Sequence, residues 1–357
     1  RIDMHSALLR QAVLPSVIVL MTGCATFSPR TTAPTAATGP RIDREFRGAW
    51  VATVGNIDWP SAPALPVAEQ QRELRAILDR AVQLQLNAVI LQVRPAGDVL
   101  YESPHEPWSE FLTGQMGRAP QPRYDPLAFA IREAHRRGLE LHAWINPYRA
   151  SHPKATGPVA GHHVTRTRPQ WVRRYGKYQW LDPGEPAVTE YVLNIVRDIV
   201  RRYDVDGIHL DDYFYPYPEA NLEFPDDATY RRYGGGRARA DWRRENVNGL
   251  IRQLYSTVKQ TKPWVRVGIS PFGIWRSGTP PGIRGTGAFD NLYADSRLWL
   301  ASGWLDYLAP QLYWRIAEPE QSFPVLLNWW DAQNQAGRHV WPGLFTSRVQ
   351  DGTARAW

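Results

Sequence analysis

Asp125-Pro-Leu-Ala-Phe-Ala-Ile-Arg-Glu-Ala-His-Arg-Arg-Gly-Leu-Glu-Leu-His-Ala-Trp-Ile-Asn-Pro-Tyr148 holds one complete unit of the architecture. Asp125 can cap a helix predicted over 126–137, and Gly138 marks its stop. Residues 139–145 read as a short, largely apolar strand. Asn146-Pro-Tyr-Arg149 then ends it with polar and aromatic residues. Outward from this unit the alternation recurs. Further strands are predicted at 48–54, 87–93, 207–211, 265–270, 307–311 and 339–342. Further helices are predicted within 67–86, 186–203, 241–260, 294–301 and 323–335. Short apolar runs alternating with amphipathic helices predict βα units and a parallel sheet. The expected fold class is α/β, a TIM (β/α)8-type barrel. A closed barrel of this kind has eight strands and the reading finds seven, so the barrel is expected to be C-terminally truncated.

The N-terminal region reads differently. Met4 looks like the natural start, with Arg1 to Asp3 as upstream read-through. Arg10, the apolar run from Ala12 to Met21 and the small residues before Cys24 make a signal peptide of residues 1–23. The run is too short for a membrane-spanning helix. Leu20-Met-Thr-Gly-Cys24 resembles a bacterial lipobox, which implies lipidation at Cys24 and a membrane anchor. Ala25 rather than Asp then points to an outer-membrane lipoprotein of the cell envelope, facing the periplasm. Residues 24–42, rich in Thr, Ala and Pro, read as a flexible tether, and 43–357 as the barrel domain. Cys24 is the single cysteine, which excludes an internal disulfide framework and a cysteine-based zinc site.

Composition narrows the partners. The net charge is +7, but the arginines are spread at helical spacing and no nucleic-acid-binding signature is present; no nucleic-acid partner is expected. The 16 Trp, 16 Tyr and 10 Phe suit sugar stacking as well as a large core. His142, His162 and His163 have no carboxylate at ligand spacing, and no GxGxxG, P-loop or GxSxG motif occurs. No metal or cofactor is expected, and the chain is expected to be a monomer.

In barrels of this type, chemistry sits at the C-terminal strand ends. There the sequence places carboxyl, amide and aromatic residues where packing alone would favour Val, Ile and Leu. Asp211 continues the inward set Gly207 and His209, because alternate strand residues share a face. The same parity sends Asp212 toward a neighbouring loop or the rim. Glycosidic hydrolysis needs two carboxyls, so Asp211 is the first catalytic candidate, with Asp212 beside it. Asp98 is the preferred partner; Glu102, Glu106 and Asp58 stay open. Arg94, Gln92, Asn146, Tyr148, His209, Tyr213 and Gln311 are candidate substrate contacts. Trp108, Trp275, Tyr313 and Trp314 are candidate stacking residues, and Trp50 is as readily a core residue.

Several stretches together resemble the glycosyl hydrolase-like 10 family: Arg47-Gly-Ala-Trp-Val-Ala-Thr-Val54, Asn56-Ile-Asp-Trp-Pro60, Gln92-Val-Arg-Pro-Ala-Gly-Asp98, Glu106-Pro-Trp-Ser109, Leu112-Thr-Gly114, Ala143-Trp-Ile-Asn-Pro-Tyr148, Asp206 to Pro216, and Ala309-Pro-Gln-Leu-Tyr-Trp314. The match runs from about residue 43 to the C-terminus. The resemblance implies a bacterial TIM-barrel glycosidase, often a lipoprotein, acting on peptide-free peptidoglycan strands. Asp206-Gly-Ile-His-Leu-Asp211 is also similar to the fourth-strand motif of α-amylase barrels, where the residue matching Asp211 is the nucleophile. An Arg stands there in place of His209, and the acid/base Glu of that family is replaced here by Ser270-Pro271, so the proton donor must come from elsewhere. A carbohydrate-binding protein without catalysis, or a glycosidase on exogenous polysaccharide, is the alternative.

Overall fold

The computed structural model describes residues 45–346. The signal, Cys24 and tether readings lie outside them. In chain order the strands are β1 (Gly48–Val51), β2 (Ala88–Arg94), β3 (Glu140–Ile145), β4 (Arg149–Ser151), β5 (Val172–Tyr175), β6 (Tyr178–Leu181), β7 (Gly207–Leu210), β8 (Arg266–Ile269), β9 (Tyr307–Leu308) and β10 (His339–Val340). The α-helices are α1 (Val67–Gln83), α2 (Glu110–Thr113), α3 (Pro126–His135), α4 (Val164–Thr167), α5 (Pro186–Arg202), α6 (Asp227–Tyr233), α7 (Arg239–Thr261), α8 (Ala288–Asn291), α9 (Ser296–Ala301) and α10 (Phe323–Ala332).

Seven strands form one parallel sheet in the order β1-β2-β3-β7-β8-β9-β10. Among the described residues it is a curled half-barrel of seven strands, consistent with the TIM-barrel expectation. The helices are held by ordinary amphipathic logic. In α5, Val188, Val192, Leu193, Ile195, Val196, Ile199 and Val200 are buried on one stripe, each worth about 1.5–3 kcal/mol. Glu185 caps this helix ahead of Pro186. Asp125 caps α3 by accepting from the Ala128 N–H at 2.9 Å.

The short helices α2, α4, α6 and α8 were not expected, and two further features differ from the sequence reading. A three-stranded antiparallel sheet, order β4-β6-β5, grows from the segment after β3. Its hairpin turns at Gly176-Lys177, with Gly176 at φ 54°. The strands β1, β9 and β10 are also shorter than predicted. After β1 the chain enters a 3-10 turn at Val54–Asn56. After β9, Pro310 is followed by Gln311, which makes only isolated bridges to Phe272 and Gly343.

The sheet interior is polar and aromatic. Phe46 stacks on Trp341 at 4.3 Å and sits 5.5 Å from both His142 and Tyr307. Above this floor, the Tyr307 hydroxyl lies 2.8 Å from Nδ1 of His142 and 2.8 Å from Nδ1 of His209. Glycines make the room. A Cβ at Gly268 would sit 1.8 Å from the Tyr307 ring, and one at Gly207 would sit 2.6 Å from the His142 ring.

Candidate active site

β7 ends at Leu210, so strand alternation stops one residue before the acidic pair. Both carboxyls are buried, Asp211 at 5% and Asp212 at 3% exposure. Each lies within electrostatic reach of Tyr213 and Tyr313. Asp212 accepts from the Tyr217 hydroxyl of the loop after β7, as expected of a side chain turned toward a neighbouring loop, and it is buried rather than at the rim.

Asp211 is held by donors. Its Oδ2 accepts from Trp144 Nε1 at 3.0 Å and Asn146 Nδ2 at 2.5 Å. Its Oδ1 receives only the Tyr213 N–H, at 3.3 Å. Asn146 is aimed from behind: Gln92 Nε2 donates to its Oδ1 at 2.6 Å, while Gln92 Oε1 takes the Thr53 and Val54 N–H groups at 2.9 Å. The antiparallel sheet contributes Arg149. Its guanidinium is buried 4.3 Å over the Tyr213 ring and donates to Asn146 Oδ1 at 3.4 Å. Burial raises the Asp211 carboxyl, and Arg149 with the three donors pulls it back toward ionisation.

Asp212 has the opposite balance. Burial, and then the charge of Asp211, push its carboxyl up to about 7, against hydrogen bonds from the Tyr217 hydroxyl and Gln311. The two groups therefore titrate as a pair in which Asp211 carries the charge and Asp212 the proton near neutrality. Opposed environments of this kind are how acid and partner are told apart in hydrolases.

An aromatic wall leads up to the pair. Tyr213 packs edge-on against Tyr217 at 5.6 Å, Tyr217 on Phe272 at 6.2 Å, and Phe272 on Trp314 at 5.6 Å. Tyr313 packs on Phe345 at 5.6 Å. All but Phe345, which is exposed, are half-buried.

Of the residues singled out from the sequence, Gln92, Asn146, Tyr213, Gln311, Tyr313 and Trp314 gather around the pair. His209 lies in the sheet interior, fully buried, bonded to Trp50 at 3.1 Å and Ser270 at 2.9 Å. Arg94 is committed elsewhere. It forms a two-pronged ion pair with Glu106 at 2.8 and 2.6 Å, and its remaining donor goes to the Asn146 and Pro147 carbonyls. It thus fixes the backbone that carries Asn146. Asp98 accepts from the Ala96 N–H at 3.0 Å and from Ser109, and burial pushes it up to about 6. It shares no hydrogen-bond partner with Asp211 or Asp212. Glu102 is exposed and pairs with Arg123. Tyr148 is fully buried, and the charge of Asp182 acts on its hydroxyl. Trp108 packs against the core. Trp275 stacks on Trp329 of α10 at 5.8 Å and donates to Asp295 at 3.0 Å. Trp144, Arg149, Tyr217 and Phe272 were missed. Trp144 had a signal, because it shares strand parity with His142 and Asn146. Tyr217 and Phe272 lie in loops, where no periodicity exists. Among the described residues, no group of three or more His, Cys, Asp or Glu is placed to hold a metal ion.

A parallel α/β barrel with buried carboxyls and an aromatic wall at its strand ends belongs to the class of glycoside-hydrolase barrels. The chain belongs to the glycosyl hydrolase-like 10 family, whose model matches residues 45–355. It is 45% identical over 327 residues to glycosyl hydrolase YngK of Bacillus subtilis (strain 168), covering 88% of this chain and 63% of that protein. It is 38% identical over 349 residues to glycosyl hydrolase DigH of Escherichia coli (strain K12), covering 90% of this chain and 79% of that protein. The chain thus spans less than two thirds of the length of YngK. In fold it is similar to the PgaB (BpsB) glycoside hydrolase domain from Bordetella bronchiseptica, with a TM-score of 0.53 and 17% identity, covering 87% of this chain and 90% of that domain.

Proposed function

We propose that this domain hydrolyses glycosidic bonds in peptide-free peptidoglycan strands, with Asp212 as the proton donor and Asp211 as its ionised partner. The observation that carries this reading is the pair of adjacent buried carboxyls at the tip of β7, beside a wall of half-buried aromatic rings. Asp212 replaces Asp98 as the partner of Asp211, because Asp98 is tied to Ala96 and Ser109. Trp314, Phe272, Tyr217 and Tyr313 form the sugar platform in this proposal, and Gln311 orients the acid. The murein substrate and the envelope location rest on the motifs of the sequence and on Cys24. The protein acts as a monomer in this reading, on a glycan held near the membrane by its lipid anchor. The test is incubation of the chain with purified denuded glycan strands, following new reducing ends. Cleavage by the native chain and its loss in Asp212→Asn are expected. Binding of strands without any new reducing ends would instead make this a carbohydrate-binding protein.

A further inference from the structure

A glycosidase that attacks with its own carboxylate needs that group about 5 Å from the acid, and one that activates water directly needs about 6.5–9.5 Å across the sugar. In both cases the second carboxylate faces the acid across the anomeric carbon. Among the described residues, no other buried carboxyl shares a hydrogen-bond partner with this pair. Among the described residues, the other buried carboxylates are committed: Glu106 to Arg94, Asp182 to Arg173, Asp226 to Arg243, Glu133 to Arg137, Glu110 to the Gly157 N–H and Asp98 to the Ala96 N–H. What remains is two consecutive residues, whose Cα atoms are about 3.8 Å apart. They present both carboxyls from one wall, the tip of β7.

Among the described residues no other buried carboxyl is bonded around the pair, and the substrate class proposed above can itself supply the attacking group. Peptidoglycan sugars carry an acetamido group on C2, whose carbonyl oxygen can reach C1 from the face opposite the leaving oxygen. The Asp211 carboxylate suits the other end of that group. Its Oδ2 is anchored by Trp144 and Asn146, while Oδ1 is met only by a long backbone contact. An acetamido N–H can therefore donate to Oδ1.

We infer that the site works by substrate assistance: the 2-acetamido group is the nucleophile, Asp211 orients it and balances its developing charge, and Asp212 is the acid and then the base. In the first step the acetamido oxygen bonds to C1, the C1–O bond to the leaving sugar breaks, and Asp212 gives its proton to the departing oxygen. The resulting oxazolinium cation lies against the Asp211 carboxylate. In the second step water attacks C1, its proton returns to Asp212, and the C1–O bond of the oxazolinium opens to restore the acetamido group. Two displacements at C1 give net retention, and the sum is hydrolysis with no further reactant. The inference rests on the glycosidase reading of the pair and goes beyond it by naming the group that attacks.

The experiment compares denuded glycan strands with the same strands after chemical N-deacetylation, using the native chain. Proton NMR reads the anomer released first, and the thiazoline of N-acetylglucosamine is added as a stable mimic of the cyclic intermediate. Expected are retention, competitive inhibition by the thiazoline, and cleavage of deacetylated strands slower by a factor of about 100 or more. Equal cleavage of both strand preparations, or inversion, overturns the inference and leaves the glycosidase reading standing. No cleavage of untreated strands overturns that reading, and the inference falls with it.

Discussion

Asp212→Asn removes the proposed acid, yet it should stabilise the fold, and by more as pH rises. Burial and the Asp211 charge lift the Asp212 carboxyl from 3.8 to about 7. A carboxyl raised in the folded state holds its proton more tightly there than in the unfolded chain. Below the unfolded value both states are protonated and the group costs nothing. Above it, ionisation favours the unfolded chain, and the cost levels off once pH passes the folded value near 7. At ~1.4 kcal/mol per pH unit, the interval gives a plateau of roughly 4 kcal/mol and somewhat under about 2 kcal/mol at pH 5. Asparagine has no charge to bury, is close in size, and keeps an oxygen for the Tyr217 hydroxyl. One kcal/mol shifts the melting temperature of a large domain by about 2–4 °C, so the variant should melt on the order of 5 °C or more above the native chain at pH 8. At pH 5 the gap should shrink by more than half. Circular-dichroism melts of both proteins at pH 5, 6.5 and 8, in one salt, measure this directly. A variant that melts at or below the native chain at pH 8, or a gap independent of pH, would refute the assignment of Asp212 as the group forced to keep its proton.

The rate of glycan cleavage should fall as pH rises past about 7, where Asp212 loses its proton; in Asp211→Asn the neighbouring charge is gone, so the basic limb of any residual rate should move to lower pH. Glu106→Ala leaves the Arg94 guanidinium buried without its partner and should cost about 3–5 kcal/mol in denaturant unfolding, whereas a matched apolar pair at 94 and 106 should recover most of it. Gly268→Ala places a methyl 1.8 Å from the Tyr307 ring; soluble yield should collapse, and combining it with Tyr307→Ala should restore folding. Trp314→Ala should raise KM for glycan strands more than it lowers kcat, because the ring lies on the wall rather than at the carboxyls.

The barrel was legible because its signal is local. Strand β2 is a run of Ala, Val, Ile and Leu followed by a break, the other sheet strands are short apolar-rich segments between helices, and the longer helices carry a stripe such as that of α5. The antiparallel sheet was not, because β5 is Val-Arg-Arg-Tyr, four residues with two charges and no apolar alternation. Its pairing to β6 is set by the tertiary position of the loop. Missing it concealed Arg149, whose place over Tyr213 depends on β4 pairing with β6. The acidic pair was singled out from residue type and strand order, and the roles proposed for it rest on burial and neighbouring charge. Strand parity is a rule about extended backbone, and β7 gives out at Leu210. Asp98 and Glu102 were attractive by position alone; burial against Ala96 and pairing with Arg123 are facts of three dimensions. Trp275 lies against Phe289, Trp329 and Asp295, since a residue after a strand can turn between helices as readily as inward.

The column beneath the pair bears on where the catalytic proton can come from. Trp50 Nε1 can only donate, so His209 Nε2, 3.1 Å away, must accept. His209 then carries its proton on Nδ1 and donates it to the Tyr307 oxygen. The Tyr307 hydroxyl is left to donate to His142 Nδ1, and His142 donates from Nε2 to Glu140, 3.2 Å away. The Ser270 hydroxyl lies 2.9 Å from the same His209 Nε2, and from His209 the hydrogens run through Tyr307 and His142 to Glu140 at the start of β3. Burial and the neighbouring His142 also hold the His209 imidazole well below its usual range, so it stays neutral where the enzyme would work. A neutral imidazole with both nitrogens occupied has no proton to pass to the leaving sugar. The column therefore holds the tip of β7 in place, and in the proposed function it leaves the proton transfer to the carboxyls that the tip carries.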